Sequence, residues 1–262
     1  MKTTVWIWGA LGLGTLAAGC FATNPSARVG DAVSTTRIDG ALSATDVAVD
    51  PETGDLILSD WSGTLTIVGR TTGAVRDTLN SGGAGSYATS VGALSGGRVF
   101  VSDGTFNNAI VDLTTGATTP VTGMDALGDG SPAFADGGGG DLGGGDGDVV
   151  VTMECEPPPG STMMFWSGTG SERTLLREVP MPNGVEHVQG VAYAPDRGLV
   201  LALTDDGLQA FDDQDGHVVL TIEDVGAYET TGLAYDAALG RVLTMRVSGW
   251  GGSAVTVEEY QL

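Results

Sequence analysis

A unit of roughly 42 residues recurs along this chain, and no other feature restricts its fold as strongly. Two stretches show the unit most clearly, TDVAVDPETGDLILSD at 45–60 and QGVAYAPDRGLVLALTD at 189–205. Each is an apolar run, a proline-containing turn closed by glycine, and a second apolar run ending in aspartate. TGLAYDAALGRVLTM at 231–245 repeats the form, and TSVGALSGGRVFVSD at 89–103 follows it more loosely. A degenerate copy lies between them, in SPAFAD from Ser131 and GDVVVTMEC from Gly147, divided by the glycine-rich stretch GGGGDLGGGDG. With Val47, Val91, Ala133, Val191 and Leu233 taken as equivalent, successive separations are 44, 42, 58 and 42 residues. The longest contains the glycine-rich stretch, read as an insertion. The underlying period therefore matches the ~40 to 45 residues of a four-stranded propeller blade.

The rest of each unit agrees. A third apolar run follows each pair and closes in a glycine turn, as in TLTIVGRTTGAV from Thr64, NAIVDLTTGATT from Asn108 and LQAFDDQDGHVV from Leu208. A fourth run comes next, except in the last unit, where the chain reaches Leu262 after only three. The missing strand is available at the other end, because VSTTRID at 33–39 precedes the first unit with the right alternation. Pairing the two ends would close the ring and remove exposed strand edges. The expected fold is all-β: a five-bladed β-propeller of four-stranded antiparallel blades, spanning 33–262, closed by pairing the N-terminal strand with the last blade.

The pattern of apolar strand, Asp-Pro-x-x-Gly turn, apolar strand and Asp-x-x-Thr-Gly turn resembles the NHL and YVTN-type β-propeller repeats of many exported bacterial proteins. The resemblance covers about residues 33–262 and consists of turn and core chemistry, so it implies a fold and no particular reaction.

The first 19 residues read differently. Lys2 is followed by an uncharged apolar run from Val5 to Leu16 and then by Ala17, Ala18 and Gly19. About a dozen residues fall short of the ~20 that a membrane-spanning helix needs, which points to a cleaved secretory signal. Cys20 directly after Ala-Ala-Gly resembles the lipobox of bacterial lipoproteins, in which the cysteine becomes the new first residue and its thiol receives a diacylglycerol. Residues 1–19 are then the lipoprotein signal peptide and 20–32 a flexible tether rich in small and polar residues. The expected location is the cell envelope, with the exported protein lipid-anchored to a bacterial outer membrane or cell surface. The alternative is an ordinary secretory signal cut near Ala18, with Cys20 free or paired with Cys155.

Charge narrows the partners. With 33 acidic and 11 basic residues the formal net charge is −22, which repels nucleic acid and leaves a protein or glycan ligand as the expected partner besides the membrane reached through the lipid. Two cysteines form no disulfide framework, so stability must come from a packed core.

In a propeller, the loops leading into each first strand share one face, the mouth, with the loops joining second to third strands. That placement nominates Asp46, Asp60, Trp61, Tyr87, Asp103, Glu186, His187, Gln189, Asp205, Asp206, Tyr228, Glu229 and Trp250 as mouth binding residues. Carboxylates mixed with aromatics suit a sugar or a cation. The recurrent aspartates Asp60, Asp103 and Asp205 also suit a turn role, since an aspartate at a strand end commonly accepts hydrogen bonds from its own turn. His217, in a third-to-fourth turn, belongs to the opposite face. No Gly-x-Ser-x-Gly elbow, His-Glu-x-x-His motif or phosphate loop is present, and no catalytic residue is nominated. Across DGGGGDLGGGDGDVV at 136–150, Asp136, Asp141, Asp146 and Asp148 are candidates for calcium, although only one unit of a β-roll-like repeat occurs and no cofactor is required. The preferred reading is a non-enzymatic binding or interaction scaffold. The alternative is a glycan- or lactone-acting hydrolase or lyase that uses mouth carboxylates.

Overall fold

The computed structural model describes residues 29–39, 43–81, 90–102, 108–124, 142–144, 149–154, 162–167, 171–182, 185, 188–204, 206–223, 225, 230–247 and 254–262. Among them the secondary structure is entirely β. An N-terminal strand β1 (Ala32–Asp39) precedes the first blade, formed by β2 (Ala44–Val49), β3 (Leu56–Asp60), β4 (Thr64–Val68) and β5 (Val75–Asn80). The second blade comprises β6 (Ser90–Leu94), β7 (Arg98–Ser102), β8 (Asn108–Asp112) and β9 (Thr118–Pro120). The third contains β10 (Leu142–Gly144), β11 (Val150–Glu154), β12 (Thr162–Ser167) and β13 (Thr174–Pro180). The fourth contains β14 (Gly190–Ala194), β15 (Leu199–Thr204), β16 (Gly207–Asp212) and β17 (Val218–Ile222). In the fifth, β18 (Thr230–Asp236), β19 (Arg241–Val247) and β20 (Ala254–Gln261) are completed by β1, which pairs antiparallel with β20 from Ala32↔Tyr260 to Asp39↔Ala254. The first strands touch in the cyclic order β2, β6, β10, β14, β18 and back to β2, so the five-bladed ring is closed.

The alternation that marks the repeat has a direct packing cause. Successive side chains on a strand point to opposite faces of the sheet, and a blade is covered by a neighbour on each face. Leu56 and Leu58 pack toward the fifth blade with Ile38, Leu243, Met245 and Val255, while Ile57 between them packs toward the second blade with Val99, Val101 and Val111. Phe100 then faces the third blade with Met164 and Trp166, and Val151 and Phe165 face the fourth with Val200 and Phe211. Leu201 and Leu203 close the circuit against Val242 and Tyr260. Burying each such aliphatic side chain contributes ~1.5–3 kcal/mol, so the apolar layers between blades dominate the stabilisation.

In two of the Thr-Gly and Asp-Gly turns the glycine is required by a close approach. Gly73, at φ +65°, would carry a Cβ 2.2 Å from the carbonyl oxygen of Arg37 in the preceding blade, and Gly216, at φ +76°, one 2.2 Å from that of Pro180. In the turns after β8 and β16 an aspartate four residues before the glycine holds the chain. Asp112 accepts from the Thr115 N–H at 2.7 Å and the Thr114 N–H at 3.0 Å, and Asp212 from the Gln214 N–H at 2.8 Å.

One strand departs from the sequence reading. β10 lies inside GGGGDLGGGDG, where the spacing predicts an insertion, and Gly143 pairs with Val151 as Val47 pairs with Leu58. Ala133, the expected first-strand position, lies outside the described residues. A short strand of leucine and two glycines carries no alternation of large apolar side chains, so the repeat leaves no signal there.

The closing seam between the fifth and first blades also carries a buried ion cluster. Arg70, in the turn between β4 and β5, donates to Glu259 at 2.6 Å and to Asp236, and Arg241 reaches the other Glu259 oxygen at 2.9 Å. Burial would raise the Glu259 carboxyl, but the hydrogen bonds and charges of Arg70 and then Arg241 hold it below the ordinary value. The Thr36 hydroxyl of β1 donates to the Arg70 carbonyl at 2.6 Å, tying the borrowed strand into the same seam.

Candidate functional site

Asp46 stands at the start of the first inner strand and is 5 % exposed. Its Oδ1 accepts the N–H of its neighbour Val47 at 2.8 Å and that of Leu233 in the fifth blade at 3.3 Å. Its Oδ2 accepts the N–H of Val91 in the second blade at 2.9 Å. One carboxylate thus bonds three adjacent inner strands. The approach is close enough that a Cβ on Gly232 would lie 2.9 Å from the Asp46 Cα and from its Oδ1. Burial raises the Asp46 carboxyl well above its usual range, against the three N–H donors, which favour the charged form.

Of the other nominated mouth residues that are described, Asp60, Gln189 and Asp206 bond within their own hairpins. Asp60 Oδ1 accepts the Ser62 N–H and the Thr64 N–H, both at 2.8 Å, and the Ser62 hydroxyl at 2.6 Å, which is the turn role expected of it. Trp61 follows in that turn and is 52 % exposed. Gln189 is half-buried and donates its N–H to the Leu203 carbonyl at 2.8 Å, while exposed Asp206 donates its N–H to the Thr204 hydroxyl at 3.2 Å. Tyr87, Asp103, Glu186, His187, Asp205, Tyr228, Glu229 and Trp250 lie outside the described residues, as do Cys20 and the calcium candidates Asp136, Asp141, Asp146 and Asp148.

At the opposite end of the axis, where each inner strand turns back into its second strand, lies a cavity of about 320 Å³. It is walled by Val49 and Pro51 of the first blade, Leu94 of the second, Tyr193 and Pro195 of the fourth and Tyr235 of the fifth, with Glu52, Ser95 and Asp236 among its polar residues. The Tyr193 hydroxyl donates to Asp213 Oδ2 at 3.0 Å and that of Tyr235 to Asp196 Oδ2 at 3.0 Å. Burial, then the bond to Asp213, pushes the Tyr193 phenol up to about 12. Asp213 also receives Arg177, whose guanidinium stands 3.8 Å from the Phe165 ring centroid, so the tyrosine is anchored into the layer between the third and fourth blades. Sequence reasoning missed this cavity because its lining comes from four blades, although Tyr193 and Tyr235 at equivalent repeat positions were a readable signal.

The described residues that could offer a metal three ligands are Asp212, Asp215 and His217, whose ligand atoms lie within 4.8 Å of one another in a surface turn. His217 is exposed, as its turn position predicts, and its ring contacts Asp215 Oδ1 at 2.5 Å; that bond raises the imidazole above its ordinary value.

No family model and no curated protein sequence matches the chain. Among solved structures it is similar to the crystal structure of Myxococcus xanthus glutaminyl cyclase, with a TM-score of 0.57 and 15 % identity over 87 % of this chain and 95 % of that one. It is also similar to U3-55K, at a TM-score of 0.48 and 12 % identity over 82 % of this chain and 67 % of that one. The WD40 repeats of RRP9 give a TM-score of 0.48 and 11 % identity over 83 % and 67 %. At 15 % identity the likeness to the first of these is one of fold, that of a β-propeller.

Proposed function

We propose that this protein is an exported bacterial lipoprotein, anchored through a lipidated Cys20, whose NHL/YVTN-like propeller is a rigid binding scaffold for an envelope protein or glycan. The anchor rests on the apolar run to Leu16, the small residues 17–19 and the cysteine that follows them; residues 20–32 then form the tether. Two or three acyl chains suffice for stable attachment, since each buried methylene contributes ~0.8 kcal/mol.

The observation that carries the scaffold reading is the state of Asp46. A carboxylate that works as an acid or base must exchange a proton with its substrate, and it needs a lone pair or proton directed at that substrate. Asp46 instead spends both oxygens on the backbone of three inner strands. That arrangement supports a central carboxylate committed to holding the ring. The likeness to a glutaminyl cyclase bears on fold alone and adds no reaction to this reading.

Mass spectrometry of the mature protein extracted from bacterial membranes tests the anchor. The expected N-terminal peptide begins at a diacylglyceryl-modified Cys20; an unmodified Cys20, or cleavage elsewhere, would overturn it. Incubating the same protein with a panel of glycans and lactones tests the scaffold. Saturable binding without product is expected, and turnover that survives repurification would replace the scaffold with a hydrolase or lyase.

A further inference from the structure

The cavity at the turn end of the axis has the dimensions and the rigidity of a small-molecule site. Its volume of about 320 Å³ falls at the lower end of ligand pockets, which run from ~300 to 1,000 Å³. Its walls are the ends of inner strands locked by the closed ring, so little ordering cost accompanies binding. It also lies at the opposite end from the mouth, and nothing proposed for the mouth bears on it.

The lining selects a ligand class. No lysine, arginine or histidine lines the cavity, whereas two carboxylates do, Glu52 and Asp236. Asp236 is already neutralised by Arg70, which leaves the exposed Glu52 as the uncompensated charge at the lip. An anion would therefore meet no cation there. Both tyrosines give their hydroxyl protons to Asp213 and Asp196, neither of which lines the cavity. The phenols are thus held in place as walls by bonds that the ligand need not supply. Val49, Pro51, Leu94 and Pro195 complete an apolar surface. Apolar walls, two aromatic rings and one lip carboxylate together match a cation whose charge is spread over an alkyl body. The formal charge of −22 raises the local concentration of such ions further.

We propose that this cavity binds a small organic cation of the quaternary-ammonium class, held against Tyr193 and Tyr235 with Glu52 supplying the opposing charge.

The test is titration calorimetry of the mature protein with choline and with 3,3-dimethylbutan-1-ol, its uncharged counterpart of nearly equal shape. Choline is expected to bind one site with a dissociation constant of about 1 mM or tighter, and the neutral alcohol at least roughly fivefold more weakly. Glu52→Gln is expected to weaken choline roughly threefold or more and leave the alcohol unchanged. Asp77→Asn, an equal charge change on exposed β5, leaves both unchanged and separates local from long-range electrostatics. Tyr235→Leu, with folding checked by thermal melting, weakens choline while keeping an apolar wall. Absence of saturable choline binding at 50 mM, a concentration chosen as roughly fifty times the expected constant, would overturn the proposal. So would equal affinity for the two probes, or equal effects of Glu52→Gln and Asp77→Asn.

Discussion

Replacing Arg70 by alanine tests how the ring is closed. The Arg70 side chain is 11 % exposed and joins two carboxylates that are 8 % and 5 % exposed, Asp236 and Glu259, across the seam between the first and fifth blades. Removing one member of a buried ion cluster costs ~3–5 kcal/mol, because the remaining charge stays out of water without its partner. Here the low end applies. Glu259 keeps Arg241, and Asp236 keeps the N–H groups of Ala238 at 2.9 Å and Leu239 at 3.1 Å. The expected loss is therefore about 3 kcal/mol, or roughly 6–12 °C in melting temperature for a domain of this size. Urea denaturation should show a lower midpoint at unchanged slope. Acid should erase the difference. Glu259 titrates below its ordinary value of 4.5 in the folded chain, so its contribution is present above that value and is lost as the pH falls through the depressed one. A loss under about 1 kcal/mol, typical of an exposed pair, would refute the reasoning, as would a difference that persists undiminished at the lowest pH at which the protein folds.

Three further outcomes follow from the packing. Gly73→Ala places a methyl 2.2 Å from the Arg37 carbonyl oxygen and should cost at least ~2 kcal/mol, whereas Gly54→Ala, at φ +73° with nothing within 4 Å, should cost only the ~1 kcal/mol of its backbone conformation; paired urea curves separate the two. A chain begun at residue 43, lacking β1, leaves the β20 edge unpaired and should aggregate, while one begun at residue 29 should elute as a monomer in size-exclusion chromatography with light scattering. Asp213→Asn removes the carboxylate that holds the Tyr193 hydroxyl and should bring that phenol down from about 12, read as an earlier rise at 295 nm in a spectrophotometric pH titration.

Much of the fold was legible because blade-on-blade packing writes itself into the chain with period two. Leu56, Ile57 and Leu58 serve two interfaces in turn, and the turn glycines Gly73 and Gly216 mark where one blade touches the last. The unpaired third strand of the last unit pointed to β1 for the same reason, since a strand edge in a ring must be matched. The third inner strand escaped because Leu142–Gly144 carries one apolar residue and two glycines, and glycine runs read equally well as loops. The sites were less legible. Asp46 has no local mark distinguishing a surface ligand from a carboxylate shared by three strands, because two of its donors, Val91 and Leu233, are 45 and 187 residues away. The cavity is hidden in the same way, being assembled from the ends of strands far apart in the chain.

The claim that the central carboxylate belongs to the architecture and not to chemistry is tested most directly by Asp46→Ala, with stability measured by urea denaturation and any turnover on the glycan and lactone panel measured alongside. The substitution leaves the N–H groups of Val47, Val91 and Leu233 without their acceptor, at ~1–3 kcal/mol each before water relieves part of the cost. The predicted result is a loss of about 3–5 kcal/mol with no chemical step to abolish. A loss under about 1 kcal/mol, accompanied by the disappearance of a turnover that the unaltered protein shows, would contradict it.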